Sequence, residues 1–191
     1  MDKRERIVSA AIEVFSEQGI EKTKISDIVK RAGIAQGTFY LYFPSKLSLM
    51  PAIAEVMVEK TLEIVQAKVS KSAPFPVRLD QLVDAIFEVS EEYHEMQALI
   101  YSGLASTEHL KKWETVYAPF YEWISESLEQ AIEDEVIRDS VDPARTAKLV
   151  IGLVESAAEQ IYLYDANKED EAAVQKREVK QFLRFALSIH D

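Results

Sequence analysis

The sequence predicts an all-α protein, with a small three-helix unit over residues 1–47 and a larger helical domain over 48–191. Three observations predict it. Hydrophobic periodicity is helical almost throughout, and no stretch alternates between turn residues as a hairpin strand would. Glycine is concentrated early, with Gly19, Gly33 and Gly37 against Gly103 and Gly152 later. Charge divides at the same place. Residues 1–47 hold eight Lys or Arg against six Asp or Glu, a net +2, whereas residues 48–191 hold fourteen against twenty-seven, a net −13. A chain of net charge −11 is a poor partner for phosphates on average, but this asymmetry separates a segment suited to nucleic acid from one that is not.

The elements follow in order. Ile7, Ala10, Ala11, Val14 and Phe15 share one face of a helix over about 3–18, which Gly19 stops. A second helix over about 25–32 turns Ile25, Ile28, Val29 and Ala32 to the same core, with Thr23 as its expected N-cap and Gly33 as a left-handed terminator. A third runs near 35–42. Ser45 is expected to cap a long fourth helix to about 71, kinked or restarted at Pro51, where a backbone hydrogen bond is lost. After the break at "SAPFP" come helices near 77–101, 107–117 and 117–136, the last two separated or bent at Pro119. Asp142 followed by Pro143 starts a helix to about 164, and a last one covers about 169–189.

Composition excludes several classes of function. No apolar run approaches the roughly 20 residues of a membrane helix, and "MDKRER" leads into no signal-peptide core, so the expectation is a cytoplasmic chain. With no cysteine there is no disulfide, thiolate ligand or cysteine nucleophile. His94 with Glu91 or Glu95 could suggest a metal, but no His pair at i, i+4 exists and a solvated helix face explains "EEYHE". No catalytic constellation, metal site or cofactor motif is found, so an enzyme is not expected.

The stretch "AGIAQGTFYLYFPSK" mixes aromatics with Gln36, Thr38 and Tyr40. Phe39 and Phe43, four apart, point inward, so Gln36 with Tyr40, and Gly37 with Leu41, form rows that point away. Two short helices joined by a glycine turn, with a third in support, make a helix-turn-helix unit. Gln36 and Thr38 lie in the first turn, where base edges are read, and Gln matches the N6 and N7 edge of adenine. Gly37 lets the backbone approach the duplex, Tyr40 can donate to a phosphate, and Lys46 adds charge.

"TKISDIVKRAGIAQGTFYLYFPSKLSLM" closely resembles the TetR family of bacterial transcriptional regulators, over about residues 5–50. The resemblance implies DNA-facing roles for Ser26, Gln36, Gly37, Thr38, Tyr40, Leu41 and Lys46, a homodimer, and a ligand pocket in the remaining helices. Three residues depart from the pattern. Ala35 replaces a frequent capping Ser, at a cost of about 0.5–2 kcal/mol. Leu41 replaces a polar residue or histidine and is suited to a thymine methyl. Pro51 comes unusually early in the fourth helix.

In the larger domain Trp113, Tyr117, Phe120 and Tyr121 form an aromatic stripe, either solid core or the wall of a pocket closed by Phe87, Met96 and Tyr101. The acidic surroundings favour a neutral or cationic effector with an apolar or aromatic body. The stripes Val150, Leu153, Val154, Ala157, Ile161 and Phe182, Phe185, Ala186, Ile189 exceed the needs of one core, which predicts an isologous four-helix dimer interface. Together these features predict a ligand-responsive repressor on a palindromic double-stranded DNA operator. The rival readings are a ligand-independent DNA-binding adaptor, and a helical small-molecule-binding protein or enzyme with a vestigial DNA head.

Overall fold

In the computed structural model the described residues are 1–104, 113–164 and 168–189, with side chains described at all of these except 101–104, 113, 164 and 168–170. They form eight α-helices and no strand: α1 (Lys3–Gln18), α2 (Ile25–Ala32), α3 (Gln36–Tyr42), α4 (Met50–Lys68), α5 (Phe75–Leu104), α6 (Trp113–Glu133), α7 (Pro143–Glu159) and α8 (Lys168–Leu187). A 3-10 turn at Leu47–Leu49 precedes α4 and a π turn at Gln160–Tyr164 follows α7. The chain divides into two compact units, Met1–Val58 with Glu95–Val116, and Glu59–His94 with Tyr117–Asp191. The sequence division at residue 47 falls inside the first unit, which keeps the start of α4 with its buried Met50, Ile53 and Ala54. Inside α5 the boundary lies next to Tyr93, whose φ of −114° and ψ of 17° leave helical geometry.

In the first unit α1 opens with a reciprocal cap. Asp2 accepts from the Glu5 N–H at 2.8 Å, and Glu5 accepts from the Asp2 N–H at 2.7 Å. The face expected from spacing is the buried one, Ile7, Ala10, Ala11, Val14 and Phe15, joined by Val8. Thr23 does not cap α2. It is buried, and its hydroxyl donates to the Gly19 carbonyl at 2.7 Å, while Asp27 reaches back to the Lys24 N–H at 2.9 Å. The residue one step nearer the helix occupies the cap position, and the hydroxyl tightens the preceding turn instead.

Gly33 ends α2 at φ 63°, ψ 42°. The Ile34 N–H bonds back to the Val29 carbonyl and that of Gly33 to Lys30, the pair of bonds that closes a Schellman turn. The expected break at Pro51 takes the form of a restart. Ser45 and Ser48 exchange hydrogen bonds across the 3-10 turn, and α4 begins at Met50, so Pro51 lies in a first turn where its missing N–H costs nothing.

In the second unit α5 starts at Phe75, two residues before expectation, because the Pro74 carbonyl accepts from Val77 and Arg78 at 3.0 Å. The expected helix over 107–117 lies largely outside the described residues. From Trp113 onward α6 is one helix through Pro119 rather than two, held by the buried stripe Phe120, Ile124 and Leu128. Asp142 caps α7 by accepting from the Arg145 N–H at 3.0 Å. Ion pairs set α8 antiparallel to α5: Arg184 meets Asp80 at 2.9 Å, and Lys180 meets Asp84 at 2.7 Å, with Lys176 at 3.8 Å.

A Cβ on Gly33 would need a left-handed backbone and would approach the Arg6 guanidinium at 3.1 Å. Gly33→Ala is therefore expected to destabilise the protein by about 1–2 kcal/mol, read from the midpoint of urea unfolding.

Candidate nucleic-acid interface

The α3 helix has seven residues, too few to persist alone. Phe39 is fully buried and Phe43 nearly so, their rings 5.9 Å apart, and Tyr40 meets Phe39 edge-on at 5.5 Å. Burying this face presents the other. Gln36 and Gly37 are exposed, Tyr40 is 50% exposed, Leu41 82%, and Thr38 is partly covered. Ser26 is exposed in the first turn of α2. Ala35 offers no side-chain cap, and only its carbonyl engages, accepting from the Thr38 N–H at 2.9 Å. An 82% exposed leucine on this face is suited to an apolar target such as a thymine methyl.

Two cations hold the turns at the two ends of α2. Arg6 donates to the Ala32 carbonyl at 2.6 Å and to Gly33 at 3.3 Å. Lys46, expected as a phosphate ligand, lies half-buried with its ammonium on the carbonyls of Ile20 at 2.5 Å and Thr23 at 2.8 Å. The α1–α2 turn leaves those carbonyls without helical partners, and the ammonium satisfies them. Arg31 forks onto Glu13 at 2.7 Å and Glu17 at 2.8 Å, and this hydrogen bonding holds the Glu17 carboxyl below its ordinary range. Lys22, Lys24 and Lys30 are exposed in the same unit and hold no ion pair among the described residues.

Residues 7–53 match the model of the bacterial regulatory proteins of the tetR family, and residues 79–187 that of the tetracyclin repressor-like C-terminal domain. The uncharacterized HTH-type transcriptional regulator YvdT of Bacillus subtilis is 42% identical over 185 residues, 97% of this chain and 95% of that one. The chain belongs to the TetR family. In fold, the regulator is similar to Thermus thermophilus FadR, a TetR-family repressor solved with lauroyl-CoA, with a TM-score of 0.76, 20% identity and coverage of 98% of this chain and 96% of that one. Bacillus subtilis FadR, solved with stearoyl-CoA, aligns with a TM-score of 0.71, 22% identity and coverage of 93% and 96%.

Of the regulator's expected pocket residues, Tyr101 and Trp113 lie outside the described side chains. Met96 is buried in the first unit, whereas Phe87, Tyr117 and Phe120 are buried in the second, with Tyr121 part-exposed beside them. Tyr117 and Tyr121 stack at 5.6 Å, Lys148 lies over Tyr121 at 5.2 Å, and Phe87 meets Tyr162 edge-on at 6.3 Å. Burial and Glu91 raise the Tyr162 phenol. The apolar fissure in this unit is lined by other residues, among them Leu79, Leu82, Trp123 and Val150. His94 bonds through Nδ1 to the Glu91 carbonyl at 2.7 Å, on an open helix face.

The expected dimer stripes divide. Val150, Val154, Ile161 and Ile189 are buried within the protomer, which corrects their assignment to an outer face, and Ala157 is buried at the floor of the outer groove. Phe182 at 61% and Phe185 at 83%, with Ala186, are exposed, and Leu153 is intermediate. Leu149 is exposed as well. Periodicity marks both apolar faces of such a helix, and the inner one serves the core. Phe182, Phe185, Leu153, Ala157 and Val179 line a groove of about 410 Å³.

Among the described residues Glu155 accepts from the Tyr117 hydroxyl, at 3.0 and 3.1 Å to its two oxygens. Burial pushes its carboxyl up to about 8, opposed by the Tyr117 hydrogen bond and assisted by the charge of Glu159.

Two outcomes follow from these contacts. Lys46→Met is expected to lower stability by about 1.5–3 kcal/mol while leaving the slope of log affinity against log salt unchanged. An ammonium on phosphate would instead reduce the slope by about one per protomer. For Glu155, a carboxyl raised from 4.5 holds its proton more tightly folded than unfolded, so its stability is complete below pH 4.5 and is lost as pH rises towards 8. Glu155→Gln keeps an acceptor for Tyr117 and should exceed wild type by about 2 kcal/mol or more at pH 8, with no gain below pH 4.5, read by urea unfolding across pH.

Proposed function

We propose that the regulator is a homodimeric repressor that reads a palindromic operator through α3 and leaves it when a mainly apolar effector binds the second unit. The observation that carries this is the split of α3 into a buried Phe39–Phe43 face and an exposed row of Gln36, Tyr40 and Leu41. Base reading falls to Gln36 and Thr38, close approach to Gly37, the thymine methyl to Leu41, and phosphate contact to Ser26 and Tyr40, with Lys22 and Lys24 supplying charge. Lys46 serves these contacts by holding the neighbouring turn.

Two bare phenylalanines over a groove on α7 and α8 support dimerisation through that face, with Phe182, Phe185, Ala186 and Leu153 as its centre. An isologous interface sets two copies of α3 on inverted half-sites. The acyl-CoA complexes of the FadR proteins support an effector with a long apolar body, and so does the apolar interior of the second unit. Such an effector releases DNA only to the extent that it binds the DNA-incompetent state more tightly than the competent one.

Genome-wide DNA capture supplies the operator. On it, Gln36→Ala is expected to cost roughly 1–3 kcal/mol and relax preference at one base per half-site. Phe185→Glu is expected to yield a monomer by sedimentation and to lose operator affinity. A monomeric wild type at micromolar concentration with full operator affinity would refute the dimeric reading.

A further inference from the structure

Arg4 stands in the first turn of α1, and its guanidinium touches two other elements of the first unit. It donates to the Glu55 carboxylate of α4 at 2.9 Å, and it lies 6.0 Å from the centre of the ring of Phe43, the residue that ends α3. Both partners bear on the reading helix. Phe43 is 5% exposed and, with Phe39, sets which side of α3 faces out. Glu55 follows the buried Ile53 and Ala54, on the part of α4 that belongs to this unit. The pair itself is open to solvent, with side chains 47% and 43% exposed, so it adds little to folding stability. What it adds is order. With the guanidinium held by Glu55, a cation stays on the Phe43 ring, at the end of a helix whose own last turn carries no basic residue.

We propose that Arg4 is a positioning residue for operator recognition: held by Glu55, it fixes the Phe43 end of α3 against α1 and α4 and orders the reading face before DNA arrives. Its charge is already answered by a carboxylate, so it acts through Phe43 rather than on a phosphate. An α3 left loose at that end must be ordered on binding, and this loss appears in operator affinity and scarcely in unfolding. The effect is confined to DNA read through its bases, because backbone contacts to any duplex carry no sequence information. Its consequence for DNA rests on α3 being the helix that reads the operator, as proposed above. The pairing also reverses the sign expected of Glu55. A carboxylate in a DNA-binding unit repels phosphate, so its removal tightens binding where charge alone counts. Removal of the group that holds Arg4 loosens it.

The test measures binding of the full chain to the captured operator and to a scrambled duplex of equal length, by fluorescence anisotropy across a salt series, with melting temperatures in parallel. Glu55→Gln is expected to weaken operator binding about fivefold or more over two half-sites, with no loss of affinity for the scrambled duplex. Arg4→Gln is expected to weaken operator binding by a similar factor with the slope of log affinity against log salt unchanged, and the double variant to fall no further than either single one. Arg4→Lys, which keeps a cation for both partners, should stay within about twofold of wild type. A Glu55→Gln protein that binds the operator as tightly as wild type, or more tightly, overturns the proposal. So does an Arg4→Gln slope lower by about one per protomer, which places Arg4 on a phosphate, and so do additive losses in the double variant. A wild type that does not distinguish operator from scrambled duplex overturns the recognition reading and this one with it, whereas specific wild-type binding indifferent to Glu55→Gln overturns this one alone.

Discussion

A helix of seven residues with no side-chain cap has almost no stability of its own, so whatever this protein reads on DNA depends on how α3 is held from outside. The hold comes from two directions. Phe39 and Phe43 anchor one face by burial, and the turns at the two ends of the preceding α2 are tied by cations placed on carbonyls, Arg6 at the end of α2 and Lys46 at the α1–α2 turn. The directional bonds to these carbonyls are made by side chains whose charge would otherwise suggest another use. Two basic residues of this unit, Arg6 and Lys46, are thus committed to the protein's own backbone.

The second unit obeys a different constraint. Its core is apolar, yet among the described residues a few polar groups have their needs only partly met: part-buried Glu155 bonds one phenol, and the Arg78 Nε and the Ser90 hydroxyl have no hydrogen-bond partner. Meanwhile its outer rows are well paired, as the α5–α8 ion pairs show. A unit built for stability alone would pair its interior as completely as its surface.

Much of this was legible in the sequence wherever one residue type has one local use. Gly33 as a left-handed terminator, Asp142 with Pro143 as a helix start, and Phe39 with Phe43 as an inward pair all follow from backbone geometry and spacing. Legibility failed where the partner is a backbone atom or where one pattern has two outcomes. Nothing in the pattern around Lys46 reveals that its partners are the Ile20 and Thr23 carbonyls, because every residue carries a carbonyl. Thr23 and Lys24 compete for one cap position, and only the closed turn decides. On α7 and α8, apolar spacing marked both the inner face, with Val150, Val154 and Ile161, and the outer face, with Phe182 and Phe185; spacing has no sign for inside.

The exposed rings of Phe182 and Phe185 also bear on how long a single subunit survives. A lone protomer displays two adjacent bare phenylalanines, the kind of surface that chaperones hold and that leads to aggregation. In the dimer proposed above, covering them would draw subunits out of that pool by mass action, and the half-life of the polypeptide would rise with its own concentration.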